Sequence, residues 1–198
     1  MEIFCKEDEY VFIKTSSRSA KDSPLYTNHF RHLYQIYLNE LDSFEKKNEN
    51  EQIKCLLKAA FEGLKLRSAC ETIEMFIKSE RIFQDMLLAC ERQERFKENF
   101  VIRKFFHIDI DMEFRGFVSN GKLTCLSQYN YLIYSERLGQ NKNEIQKLIE
   151  KFFYENILNR LNEAKFPNKY VIDFAVISRK SKFKNFILLS IEINFKLK

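Results

Sequence analysis

The residues best suited to chemistry lie near the end of the chain. From Phe186 to Phe195, strand alternation sends Ile187, Leu189, Ile191, Ile193 and Phe195 to one face. Phe186, Leu188, Ser190, Glu192 and Asn194 go to the other, so Glu192 and Asn194 stand side by side among bulky apolar neighbours. Asp173 sits in the preceding apolar run, between Ile172 and Phe174. Carboxylates in such strands need a partner, because burying an unpaired charge is costly. Mg²⁺ is suitable, since it takes hard oxygen ligands from one or two carboxylates plus substrate phosphates. A polar edge strand facing water, or a carboxylate paired with a lysine, accounts for the same pattern.

Two further segments carry polar groups at usable spacing. Asn120-Gly121 is a hairpin signal between Met112–Ser119 and Lys122–Tyr129. A two-residue turn there pairs Ser119 with Lys122 and predicts Glu113 opposite Gln128. Met112, Phe114, Gly116 and Val118 then share an apolar face with Leu123, Cys125 and Ser127. Glu113, Arg115, Phe117, Thr124, Leu126 and Gln128 form a half-polar face that suits a ligand or plain solvent. The segment Lys14-Thr-Ser-Ser-Arg-Ser-Ala-Lys-Asp22 offers cations and the hydroxyls of Thr15, Ser16, Ser17 and Ser19. Such a segment holds phosphates well, although composition fits a solvated loop equally.

The elements that position these groups follow from periodicity. Tyr10–Lys14 reads as a short strand. Pro24 starts a helix near Leu25, with Phe30, Leu33, Tyr34, Tyr37, Leu38 and Leu41 on one face. Further helices are predicted over 52–65, after a Ser68/Glu71 capping box, and after an N-cap at Ser79. Phe100–Phe106 is strand-like, a helix spans about 143–161, and 170–177 and 186–195 are strands around a basic turn at 178–184. The order strand, helices, three strands, helix, two strands predicts an α+β fold with a largely antiparallel sheet.

Bulk composition narrows the function further. The 198 residues are 45% hydrophobic and 31% charged, a globular composition. With four glycines, no G-x-G-x-x-G or G-x-x-x-x-G-K phosphate loop occurs. A net charge of +5 suits an anionic ligand or acidic partner and is too diffuse to argue for DNA. The five cysteines form no C-x-x-C pair, and Cys55, Cys70 and Cys90 fall in helical apolar stripes as expected buried thiols. His29 and His32 have no acidic or thiol companion nearby, so a metal site there is not expected. No run approaches the roughly 20 apolar residues needed to cross a bilayer. The cytosol is the expected compartment.

Several segments, in order, resemble the cell division cycle protein 123 family. They are Phe12–Asp22, Phe100–Phe105, Met112-Glu-Phe-Arg-Gly-Phe-Val118, Leu126-Ser-Gln-Tyr-Asn130, Val171-Ile-Asp-Phe174 and Ser190-Ile-Glu-Ile-Asn194. Ser79–Met86 resembles the family's helical insert. The resemblance implies one ATP-grasp-like domain over 1–198: strand and basic loop over 1–23, helical insert over 24–98, sheet lobe over 99–198. Nucleotide is then expected between two lobes. Lys14 matches the family lysine at the phosphates, Arg103 and Lys104 the basic pair beside the nucleotide, and Phe105 stands where tryptophan is usual. Glu113 and Arg115 match an E-F-R motif; with Ser16 from the loop and Gln128 from the hairpin they complete the expected ATP set. Asp173, Glu192 and Asn194 match Mg²⁺ ligands, with Glu192 where aspartate is commoner, and Tyr129 replaces a commonly basic residue. The implied function is an Mg²⁺–ATP-binding assembly factor for eukaryotic translation initiation factor 2, docking its γ subunit as a monomer. The alternatives are an ATP-grasp carboxylate–amine ligase and an interaction module that has lost its nucleotide.

Overall fold

The computed structural model describes residues 9–92, 98–178 and 186–194, with Ser178 and the last strand followed by backbone alone. Contacts divide the chain into two compact units, Met1–Phe106 and His107–Lys198. The architecture is α+β with antiparallel sheets, as expected.

The first unit pairs β1 (Val11–Thr15) with β2 (Phe100–Lys104), and among the described residues four α-helices lie between them in sequence. Pro24 opens a short 3₁₀ turn, Ser23–Tyr26, rather than the predicted helix. Helix α1 (Asn28–Glu40) begins only where the Thr27 hydroxyl can accept from the Phe30 N–H. After α2 (Glu49–Glu62), helix α3 (Ala69–Ile77) is capped by Ser68, which accepts from the Glu71 N–H at 3.2 Å. The Glu71 carboxylate completes a variant of the capping box by accepting from Arg67 N–H at 2.6 Å, one residue earlier than usual. Ser79 caps α4 (Glu80–Glu91) as predicted. Phe12, Ile13, Ala20, Leu64, Leu66, Met75 and Ile82 form this unit's core. Of the thiols, Cys55 is buried, whereas Cys70 and Cys90 are exposed, because their helices turn that stripe outward.

The second unit is a four-stranded sheet in the order β4-β3-β5-β6, from β3 (Glu113–Ser119), β4 (Lys122–Gln128), β5 (Lys169–Ser178) and β6 (Phe186–Asn194). Asn120 and Gly121 both take positive φ, 51° and 73°, which the tight hairpin turn requires. One face of the sheet is covered by α5 (Glu136–Phe152), a π turn (Phe153–Ile157) and α6 (Leu158–Glu163). Ile145, Ile149, Phe153 and Ile157 recur every four residues and pack on Phe114, Val118, Ile172, Phe174 and Val176. Helix α5 starts seven residues before the predicted 143. Its first two turns hold one apolar residue, Leu138, which packs on the core but sets no period by itself, while Ser135 supplies the start by accepting from the Leu138 N–H at 3.1 Å.

The hairpin register departs from the prediction at one place. Ser119 does pair with Lys122 and Val118 with Leu123, but a bulge at Thr124 then sets Phe117 opposite Cys125. Gln128 therefore faces Phe114 rather than Glu113, and the ladder brings Cys125 and Ser127 to Arg115's side and Leu126 to the core side. The Thr124 hydroxyl stitches the bulge by donating to the Phe117 carbonyl at 2.9 Å. A second bulge lies in β6: Asp173 pairs with Glu192 and Phe174 with Ser190, leaving Ile191 extra. Register positions 190 and 192 thus oppose successive residues of β5, not one face as strict alternation predicts.

Candidate metal and phosphate site

One rung of the second unit's sheet carries three charged residue types as register positions. Ser127 of β4, Arg115 of β3, Asp173 of β5 and Glu192 of β6 are successive register partners. Two steps along on either side, the rungs set Glu113 against Ala175 and Val171 against Asn194. Ile172 and Phe174 point into the core, so alternation turns Asp173 to the opposite face. Asp173 is only 1% exposed. Its carboxylate is held by a two-pronged fork: Arg115 Nε donates to Oδ1 at 2.8 Å and Nη2 to Oδ2 at 2.9 Å. The guanidinium also lies 4.7 Å from the centre of the Tyr129 ring, a cation–π distance. The hydrogen bonds it donates to Asp173 outweigh burial, which works against them, and leave Arg115 holding its proton more firmly than usual.

Among the expected metal ligands, Asp173 is the one whose side chain is described; those of Glu192 and Asn194 lie outside the described residues. The backbone register nevertheless brings the three positions onto alternate rungs, Asp173 with Glu192 and Val171 with Asn194, separated by Ile172 with Ile193. A carboxylate, a second carboxylate and an amide are hard oxygen donors, which fit Mg²⁺ and not a thiolate-preferring metal. Among the described residues no three His, Cys, Asp or Glu side chains cluster as a metal site. Glu113 is 9% exposed, and its carbonyl accepts from the Tyr129 N–H at 2.9 Å.

Gln128 organises the loop after β4. Its amide donates to the Asn130 carbonyl at 3.0 Å and the Ile133 carbonyl at 3.4 Å. Asn130 reaches the Ile110 carbonyl at 2.7 Å, and the Ser135 hydroxyl donates to Asp111 at 2.6 Å. Arg137 bridges Asp109 and Asp111.

In the first unit the basic loop is pinned by carboxylates, although Ser16, Ser17 and Arg18 stay exposed to solvent. Ser16 Oγ and the Ser17 N–H both donate to Glu98, at 3.0 and 3.2 Å, and Ser17 Oγ donates to Asp85 at 2.7 Å. Arg18 pairs with Asp85 at 3.0 Å, and Thr15 closes the turn on the Arg18 carbonyl at 3.0 Å. At the far end Asp22 accepts from the Ser79 hydroxyl at 2.7 Å and the Arg81 N–H at 3.2 Å, tying the loop to the start of α4. The ribbon register pairs Lys14 with Val101 and Phe12 with Arg103. Alternation therefore sets Lys14 and Arg103 on one face and Lys104 on the other. Arg103 lies over the Phe12 ring at 4.5 Å, and Lys104 meets Glu9 at 3.2 Å. Phe105 tilts against Phe61 with ring centres 5.1 Å apart. An open depression of about 540 Å³ is lined by Tyr26, Ile77, Lys78, Ser79, Glu80 and Phe83, none of them an expected site residue.

Sequence reasoning selected Arg115 and Asp173 separately and missed that they pair. It also missed the carboxylates of Asp85 and Glu98 that hold the basic loop, since each partner lies 67 or more residues away in sequence.

The sequence profile of the D123 family matches residues 37–194. The chain belongs to the D123 family. Two relatives, from Xenopus laevis and Xenopus tropicalis, are each named translation initiation factor eIF2 assembly protein. They are 39% and 38% identical over 61 residues, which is 31% of this chain and 18% of either relative. The solved structure of Cdc123 from Schizosaccharomyces pombe superposes with a TM-score of 0.58 at 20% identity. That match covers 93% of this chain and 59% of the yeast one. A C-terminally truncated form of the same yeast protein matches with a TM-score of 0.50 at 19% identity, over 92% of this chain and 76% of its own. The resemblance to the cell division cycle protein 123 family is thereby borne out, and the fold is ATP-grasp-like. This D123 chain spans about three-fifths of the yeast structure and aligns with less than a fifth of either frog relative. Among its described residues no helix is long and apolar enough to cross a membrane.

Proposed function

We propose that the chain binds Mg²⁺–ATP and serves in assembling translation initiation factor 2 in the cytosol, docking its γ subunit. The observation that supports the nucleotide half is the buried Asp173, whose register partner in β6 is a second acidic residue, Glu192. Asp173, Glu192 and Asn194 would hold Mg²⁺, which supplies charge neutralisation for phosphate oxygens. Lys14 and Arg103, on one ribbon face, answer the remaining phosphate charge, with Lys104 and Ser16 beside them in sequence. Phe105 offers an apolar surface to the base, and Glu113, Arg115 and Gln128 shape the polar end of the sheet unit. The assembly half rests on the names of the two frog relatives.

Calorimetry with ATP and with adenosine, each with Mg²⁺, tests the first half. Asp173→Asn should weaken Mg²⁺–ATP at least tenfold, about 1.4 kcal/mol, while wild-type circular dichroism persists. Lys14→Ala, Arg103→Ala and Lys104→Ala should each hurt ATP more than adenosine, because only the phosphates answer their charge. Equal losses for both ligands would assign these cations to the fold. Capture of purified γ subunit, tighter with Mg²⁺–ATP than without, tests the second half. No capture under either condition rejects the assembly reading, and substrate-dependent ADP release would replace it with a ligase.

A further inference from the structure

Asp173 and Arg115 form an unequal pair. Asp173, 1% exposed, depends on a counter-charge, since a carboxylate removed from water without one is strongly disfavoured. The Arg115 side chain is 36% exposed and rests on the Tyr129 ring at 4.7 Å, so water and an aromatic face hold its charge without Asp173. On the far side of Asp173, the next position of the rung is Glu192. The rung thus carries two acidic positions and one cation that has somewhere else to rest.

We propose that Arg115 is the resident cation of this rung, and that a divalent ion arriving at Asp173 competes with it. The proposal rests on the metal reading of Asp173 given above. While no ion is bound, the fork neutralises Asp173, and the sheet folds without metal. A divalent ion on the β6 side takes over that neutralisation, and the Tyr129 ring retains the guanidinium as its hold on Asp173 loosens. Arg115 is then a positioning residue whose presence lowers metal affinity while freeing the fold from dependence on metal. Tyr129 suits this role better than a basic residue would, because a second cation there would repel the guanidinium.

The test is thermal unfolding of the full chain in EDTA and in saturating MgCl₂, without nucleotide. Arg115→Met should melt well below wild type in EDTA and recover most of that loss in MgCl₂. Its Mg²⁺-induced rise should therefore exceed that of wild type. Arg115→Lys, a point charge without the fork, should fall between the two. Arg115→Met combined with Asp173→Asn should show no Mg²⁺-induced rise, because the buried charge is gone. If Arg115→Met fails to fold in EDTA, the lysine variant carries the same comparison. An Mg²⁺-induced rise in Arg115→Met or Arg115→Lys no larger than in wild type overturns the proposal. In that case, loss of the wild-type rise in Asp173→Asn leaves the metal reading standing. A rise that survives Asp173→Asn overturns both.

Discussion

Gly116 lies where the sheet leaves least room, and replacing it with alanine gives a calculable penalty. A Cβ there would stand 2.8 Å from Leu123 Cδ1, 2.8 Å from Phe174 Cε2 and 3.3 Å from Ile172 Cγ2. The backbone at Gly116 is outside the left-handed region, so the obstacle is packing and not φ. Phe174 and Ile172 are fully buried, and the Phe174 ring stands edge-on to Phe153 with centres 6.5 Å apart. Neither has space to retreat; Leu123, partly buried, does. Overpacking of this kind costs about 1–3 kcal/mol. Restricting the unfolded chain by removing a glycine returns about 0.4–1 kcal/mol. Mid-range values leave a net loss of about 1.3 kcal/mol, a fall in Tm of roughly 3–5 °C for a chain of this length. Urea and thermal unfolding of Gly116→Ala measure it directly. Leu123→Ala removes one of the two closest atoms, so the double variant should lose less than the sum of the single ones, by about 0.5 kcal/mol or more. A Gly116→Ala protein as stable as wild type, or strictly additive losses, would refute the packing argument.

Phe153→Ala should cost about 3–5 kcal/mol in urea titrations, because the ring is fully buried between the π turn and the sheet; a loss below about 1 kcal/mol would contradict that placement. Acid should destabilise the fold through three carboxyls. Burial pushes Asp22, Glu98 and Asp111 up, but hydrogen bonds outweigh it and leave all three below their ordinary 3.8, 4.5 and 3.8. The donors are Ser79 and Arg81 to Asp22, Ser17 and Ser16 to Glu98, and Arg137 and Ser135 to Asp111. Depressed folded values mean the stabilisation is present above about pH 4.5 and is lost as pH falls through them. A urea midpoint that holds from about pH 6 to 3, or an Asp111→Asn variant with the wild-type slope, would contradict this assignment.

The parts legible from sequence were those governed by local chemistry. Serine caps at 68 and 79, the Asn-Gly turn and the strands around Asp173 all follow from neighbours within four residues. The start of α5 was not legible, because a single apolar residue in two turns, Leu138, sets no period and only the Ser135 cap marks it. Bulges escape for a different reason. An extra residue such as Thr124 is compatible with either face, and the choice is made by where Leu126 finds the core. The fork between Arg115 and Asp173 spans 58 positions of sequence and depends on which strands neighbour each other. Periodicity placed each residue on a strand face without saying that β3 and β5 are adjacent. The family resemblance supplied roles for residues, yet not the contacts by which Glu98 and Asp85 hold the loop.

The Thr124 bulge has a consequence for how this hairpin tolerates changes of length. It divides the ladder into two runs in series, a short tip from Val118 to Leu123 and a base that carries Arg115. In an unbroken hairpin, inserting or deleting one residue at the tip would turn over every side chain of the returning strand. Here the extra residue at 124 can absorb or release that single step. A deletion at the tip could be offset by straightening the bulge, leaving Leu126 on the core and Ser127 beside Arg115. A one-residue change of length at the tip is thus uncoupled from the charged rung below it.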